Sequence, residues 1–92
     1  MNRERRKLIA TVLTKVEEMA WELSEGDVHS NLYEVKENER SYFDNMPESI
    51  QSSRKGEDAE ACADTLQEAH DMLEEAWSIL SQVCEKLEAA AA

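Results

Sequence analysis

The clearest pattern in this chain is a row of apolar residues in its last third, spaced alternately by three and four positions. The members of the row are Ala59, Cys62, Leu66, Ala69, Leu73, Ala76, Leu80, Val83, Leu87 and Ala90. A heptad repeat of this length predicts one long α-helix, from about residue 54 to about residue 91, that packs against another helix. We call the residues that share one heptad position along the helix a row, and we take Ala59 as position a. Row a then consists mostly of leucine, and row d mostly of small side chains. This combination favours an antiparallel partner helix whose axis lies close.

Two flanking rows widen this apolar stripe. Row e contains Trp77 and Cys84, and row g contributes Met72 and Ile79. An apolar stripe over rows a, d and e, with support from row g, is typical of a helix that contacts more than one neighbour. We therefore predict that Met72, Trp77, Ile79 and Cys84 form an interface between copies of the chain, with a dimer as the first expectation.

The first half of the chain carries a similar row that is interrupted once. Its members are Ile9, Val12, Val16, Met19 and Leu23, followed by Val28, Leu32, Val35, Glu39, Tyr42 and Met46. The step from Leu23 to Val28 turns the apolar face by about 200°, which a straight helix cannot absorb. Gly26 is suited to end one helix and Asp27 to cap the next. The pattern thus predicts helices at about residues 3–25 and 27–44.

These elements predict a single all-α domain over residues 1–92, an antiparallel helical hairpin whose first arm is broken. The chain reverses within residues 45–53, so the numbers of facing residues sum to about 100. This register places Trp21 beside Trp77 and His29 beside His70. Dimerisation would complete a helical bundle, because a chain of this length buries little surface on its own.

The net charge of −11 is concentrated in the C-terminal third, where residues 57–92 hold ten acidic residues and one basic residue, Lys86. Mimicry of nucleic acid is an open alternative, although direct binding of nucleic acid is not expected from such a surface. No apolar run reaches the length of a membrane span, and we expect a soluble intracellular protein without a membrane partner. Cys62 and Cys84 are too far apart on one helix to form a disulfide.

Motifs for catalysis and cofactor binding are missing from the sequence. It contains no glycine-rich phosphate loop, no Cys/His spacing typical of zinc sites and no Glu-x-x-His pair. We therefore expect no enzymatic activity and no cofactor. His29 and His70 are weak candidate metal ligands, because the hairpin would bring their imidazoles together near the carboxylates of Asp27 and Asp71. The alternative interpretation is a packed His70 and a solvated His29.

The reversal segment SYFDNMPESIQSS, residues 41–53, concentrates apolar and turn-forming side chains. Pro47 disfavours helical geometry at Met46, and the serines compete with backbone hydrogen bonds. The large side chains either close the end of the core or form an exposed tip that binds a partner. The candidate partner-binding residues are Tyr42, Phe43, Asn45, Met46, Pro47, Ile50 and Gln51.

The stretch ENERSYFDNMPESIQSS, followed by GEDAEACADTLQEAHDMLEEA, resembles small helical-hairpin proteins encoded by tailed phages and prophages. The shared features are an acidic run, an aromatic pair, Asn-Met-Pro-Glu, Gln-Ser and a long Ala/Leu/Glu helix, and they cover residues 37–76. The resemblance implies a phage or prophage origin and a place in the cytoplasm of the bacterial host. By analogy with small phage accessory proteins, it also implies a protein that binds and inhibits a host factor or defence system. A structural or assembly coiled coil is one alternative, and a nucleotide- or metal-binding helical bundle is another.

Overall fold

The computed structural model describes residues 2–92, which form four helices. These are α1 (Arg3–Ser24), α2 (Asp27–Asp44), α3 (Glu48–Gln51) and α4 (Arg54–Ala91). The first two lie one after the other along α4, and the hairpin is a rod of 68 × 17 × 13 Å. The predicted all-α antiparallel hairpin with a broken first arm is confirmed, and only the short helix α3 inside the reversal was not predicted.

Side-chain caps begin two of the long helices. The Asn2 side chain accepts a hydrogen bond from the Arg5 amide at 2.9 Å, and the Ser53 hydroxyl accepts one from the Gly56 amide. At the break, Gly26 occupies the cap position of α2, so the prediction that Asp27 is the cap is wrong. Asp27 is instead the first helical residue, where its charge faces the positive end of the helix dipole.

The predicted register agrees with two contacts between the arms. The ring centroids of His29 and His70 are 5.6 Å apart, and the Arg40 guanidinium lies 2.6 Å from the Asp64 carboxylate. The hydrogen bond to Asp64 raises the pKa of Arg40 above its usual value. Trp21, however, is 60% exposed and makes no ring contact with Trp77 within residues 2–92, because it follows the buried Ala20 by one position on the helix.

The face of α4 that packs inside the hairpin consists of rows a and e. Its buried and half-buried members are Ala59, Ala63, Leu66, His70, Leu73, Leu80, Cys84 and Leu87. The prediction that row d packs there is wrong, since Cys62, Ala69, Val83 and Ala90 are exposed. The apolar stripe is wider than one helix contact, and the hairpin uses only one edge of it.

The first arm shows the same one-sided packing. Its inward-facing apolar residues are Ile9, Leu13, Val16, Ala20, Leu23, Leu32 and Phe43. Five residues that the spacing places in the core are exposed instead, namely Val12, Met19, Val28, Val35 and Tyr42. The predicted row therefore alternates between an inward face and an outward face of the arm.

The core of the hairpin is small. Its buried apolar residues are Ala20, Ala59 and Ala63, and no large side chain within residues 2–92 is fully buried. The accessible surface is 6774 Å², whereas a compact monomer of 10.5 kDa exposes about 5,400 Å². The elongated chain thus exposes about 1,300 Å² more surface than a compact protein of its mass.

Candidate functional surfaces

Most of the large exposed apolar side chains lie along one side of the hairpin, which we call the apolar flank. Its members are Leu8, Val12, Met19, Val28, Val35, Tyr42, Met72, Ile79 and Val83, which are 38–68% exposed. Each directly precedes an inward-facing residue, as Met19 precedes Ala20 and Ile79 precedes Leu80. On a helix, a side chain points about 100° away from that of the next residue. Because the two arms run in opposite directions, this rotation has the opposite sense in each arm. The residues that precede the inward-facing ones therefore point to the same side of the hairpin in both arms.

Two surface grooves place flank residues of the first arm beside α4. Met19 and Leu80 line one groove together with Lys15, and Tyr42 lines another with Lys55. Flank residues of α1 and α2 therefore lie beside α4 at both halves of the rod.

The charge pattern of α4 distinguishes the apolar flank from a solvated face. Residues 57–92 hold ten acidic residues, yet rows d and g contain none between Cys62 and Ala90. Lys86 is the only charged residue in those rows. Large apolar side chains in a stripe without carboxylates are typical of a surface that another protein covers.

The four residues predicted for an oligomer interface fall on two different faces. Met72 and Ile79 lie on the apolar flank and are 68% and 59% exposed. Trp77 and Cys84 belong to row e, where Trp77 lines a groove with Leu23. Burial, reinforced by the nearby Glu17 carboxylate, raises the pKa of the Cys84 thiol. Row e is as free of acidic residues as rows d and g, so the charge pattern could not have separated Val83 from the two row-e residues.

The reversal presents an open groove of about 390 Å³, which we call the tip groove. It is lined by Tyr42, Asn45, Met46, Pro47, Ile50 and Lys55. Tyr42 is 49% exposed and Ile50 is 38% exposed. Tyr42 also belongs to the apolar flank, so Ile50 is the large exposed apolar side chain of the groove that lies outside that flank. Of the other predicted binding residues, Phe43 is half-buried and does not line the groove.

Gln51 and Gly56 fix the backbone beneath the tip groove. The Gln51 side-chain amide donates a hydrogen bond to the Phe43 carbonyl at 3.0 Å, and it lies 3.5 Å from the Asp44 carbonyl. These bonds satisfy backbone acceptors at the end of α2, so Gln51 has a structural role. Gly56 is buried against the backbone carbonyls of Ile50 and Gln51, with which a Cβ would overlap. These contacts pack the tip against the end of α2 and the start of α4.

Three aromatic rings meet where α2 begins, and we call them the histidine cluster. The His70 ring lies 5.6 Å from His29 and 6.2 Å from Tyr33, measured between centroids. The Lys36 ammonium lies 5.0 Å from the centroid of the Tyr33 ring, and its contact with Glu37 lowers the pKa of that carboxyl. The predicted proximity of His29 and His70 is confirmed.

Carboxylates of α4 lie beside His70. Its Nδ1 atom is 3.6 Å from the Glu74 carboxylate and 4.0 Å from that of Asp71. Asp71 was expected near the histidines, whereas Glu74 was missed. The i, i+4 spacing of His70 and Glu74 is the signal that would have found it, because such residues lie one above the other on a helix. An open cavity of about 360 Å³ adjoins the cluster, lined by Leu23, Ser24, His29, Glu74, Trp77 and Ser78.

The fold and these surfaces define a helical-hairpin protein with an apolar side, a grooved tip and a polar cluster at the break of its first arm. Comparison of the chain with protein-family models, curated proteins and solved structures found no match. Among residues 2–92, no helix is both long enough and apolar enough to cross a membrane.

Proposed function

We propose that this is a non-enzymatic binding protein of the phage accessory type, which works as a homodimer and presents its tips to a bacterial host protein in the cytoplasm. The observation that carries the proposal is the apolar flank. It runs along both arms of the rod, exposes nine large side chains and lacks carboxylates on α4. A second copy of the chain is the occupant that we propose for it.

The exposed area supports self-association. The protomer exposes 6774 Å², which exceeds the surface of a compact monomer of its mass by about 1,300 Å². A standard protein interface removes about 800 Å² from each partner. A twofold dimer brings the same patch of both copies together, and an apolar stripe with few charges is complementary to itself.

The proposed host target rests on the resemblance of residues 37–76 to phage proteins. The most specific part of this resemblance covers residues 42–53, and these residues include most of those that line the tip groove. Binding there would inhibit a host factor or a defence system. The alternative, a structural or assembly coiled coil, predicts the same dimer with no partner at the tip.

Ile50→Asp is expected to remove partner binding at the tip and to leave the dimer intact. Ile50 is 38% exposed at the tip groove, so a carboxylate there can reach water in the free protein but would be desolvated by a partner. The measurement is affinity capture from a bacterial lysate followed by quantitative mass spectrometry, with circular dichroism to verify the helix content.

Ser49→Asp is the matched control, since it adds the same charge to an exposed neighbour in α3 that does not line the tip groove. A host protein bound by wild type and Ser49→Asp, and lost with Ile50→Asp, supports the tip as a binding site. Equal capture by all three proteins, or no specific capture, contradicts the tip proposal and favours the structural alternative.

The two cysteines are expected to report the dimer through their alkylation rates. Cys62 lies in row d beside the apolar flank and is exposed in the protomer, so dimerisation should slow its labelling and dilution should restore it. Cys84 should label slowly at every concentration, because its raised pKa leaves little thiolate near neutral pH. Iodoacetamide labelling of Cys62→Ser and Cys84→Ser variants separates the two rates. Fast labelling of Cys62 at all concentrations would count against an occupied flank.

A further inference from the structure

We propose that the histidine cluster contains a binding site for a divalent transition-metal ion such as Zn²⁺, with His70, Asp71 and Glu74 as ligands and His29 as the fourth. This site is separate from the apolar flank and from the tip groove, and it goes beyond the proposed function. Its central residue is His70, which is only 8% exposed.

His70 is unusual because neither of its buried ring nitrogens has a hydrogen-bond partner within residues 2–92. Buried polar groups in proteins nearly always have a partner, and an unsatisfied one calls for a specific explanation such as an ion. Its place in row e, between Ala63 and Trp77, would be filled at lower cost by an apolar side chain. A ligand for the imidazole explains why histidine stands there.

The ligand atoms of α4 are close to the spacing that a shared ion requires. The His70 Nδ1 atom lies 3.6 Å from Glu74 and 4.0 Å from Asp71, and the three ligand atoms lie within 4.8 Å of one another. Ligands at about 2.1 Å from one zinc ion are about 3.0–3.4 Å apart. Since the two carboxylate side chains are 61% and 62% exposed, small rotations can close this gap while His70 stays fixed by packing.

His29 supplies a fourth group from the opposite arm. Its ring centroid is 5.6 Å from that of His70, and it lines the same cavity as Glu74. An ion held by residues of α2 and α4 would tie the arms together next to the break between α1 and α2. The metal would then stabilise the point where the first arm changes direction.

The donor set selects the class of ion. Two imidazoles with two carboxylates suit Zn²⁺, Co²⁺ or Ni²⁺, whereas Ca²⁺ and Mg²⁺ prefer sites made of oxygen atoms alone. The competing explanation is an ion pair between a protonated His70 and Glu74, which needs no metal. It predicts that zinc neither binds at the cluster nor raises the melting temperature.

Titration calorimetry of the untagged protein with ZnCl₂ tests the site. We expect one ion per chain and a higher melting temperature in its presence, because a ligand that binds only the folded state stabilises that state. Glu74→Gln keeps the size of the side chain but removes the anionic ligand, and it should weaken binding at least about tenfold. Glu75→Gln is the matched control, since Glu75 is the exposed neighbour outside the cluster, and it should bind as wild type does.

Cobalt identifies the ligands directly. The visible absorption of bound Co²⁺ should change in His29→Asn and His70→Asn, and competition with ZnCl₂ should remove it. If His70→Asn does not fold, the Glu74→Gln and His29→Asn variants still decide the outcome. Absence of zinc binding at submillimolar concentration, or equal affinity of wild type and Glu74→Gln, overturns the proposal. The second result would place the ion elsewhere, for example on the exposed Cys62 thiol.

Discussion

Ile79→Glu is expected to dissociate the dimer and to lower the melting temperature sharply. Burying an isoleucine contributes about 2 kcal/mol, and a buried carboxylate adds a larger unfavourable term. In a twofold dimer the substitution is present in both copies, so its free-energy cost is doubled. The dissociation constant should therefore rise at least about 1,000-fold. Thermal melting followed by circular dichroism at two protein concentrations measures the effect. The melting temperature of wild type should rise with concentration, and that of the variant should not.

Ala61→Glu is the matched control for this change. Ala61 is an exposed residue on α4 in row c, which also carries Glu68 and Glu75 on the side away from the hairpin contact. The same added charge there should leave the melting temperature and its concentration dependence almost unchanged. A wild-type melting curve for Ile79→Glu would show that the apolar flank is solvated in solution.

Gly56→Ala is expected to disrupt the chain reversal. A Cβ at this position would overlap the backbone carbonyl oxygens of Ile50 and Gln51, and a backbone cannot move aside as a flexible side chain can. Overpacking against a rigid neighbour costs roughly 3 kcal/mol, which corresponds to a loss of about 10 °C or more in melting temperature for a chain of this size. Circular dichroism melting measures the loss.

Asp58→Ala provides the comparison for Gly56→Ala. Asp58 is exposed in the same first turns of α4, and its charge near the helix start contributes less than about 1 kcal/mol. The Gly56 variant should therefore lose several times more stability than the Asp58 variant. Equal melting temperatures for the two variants would mean that α3 does not pack closely on α4 in solution.

The course of the chain could be predicted from its spacing. The three–four repeat defined α4, and the five-residue step from Leu23 to Val28 located the break. The position of the reversal, within residues 45–53, then set the register that brings His29 to His70, and the structure confirms this contact. These features depend on helix geometry alone, so they do not require knowledge of how each helix is turned about its axis.

The rotation of the helices could not be predicted in the same way. The row of residues with three–four spacing marks the middle of the apolar stripe, whereas the hairpin packs on one edge of it. Val12, Met19, Val35 and Val83 therefore fell on the exposed side although the spacing assigned them to the core. A stripe that serves two interfaces has its centre between them. Rows d, e and g all lack acidic residues between Cys62 and Ala90, so the charge pattern does not distinguish one edge from the other.

The candidate sites were predicted in part. The reversal segment was recognised, but composition could not show that Gln51 bonds to the end of α2 while Tyr42 and Ile50 remain accessible. Such roles depend on side-chain direction within a short irregular segment. At the histidine cluster the register supplied His29 and His70, whereas the burial of His70 without a hydrogen-bond partner appears only in three dimensions.

Equilibrium sedimentation of the wild-type protein is the most direct measure of whether two hairpins form a symmetric dimer. Two copies of the 10.5 kDa chain, joined along the apolar flank, should sediment with twice the protomer mass at micromolar concentration. A single species with the mass of one chain at all concentrations, with native helix content, would contradict the proposed dimer.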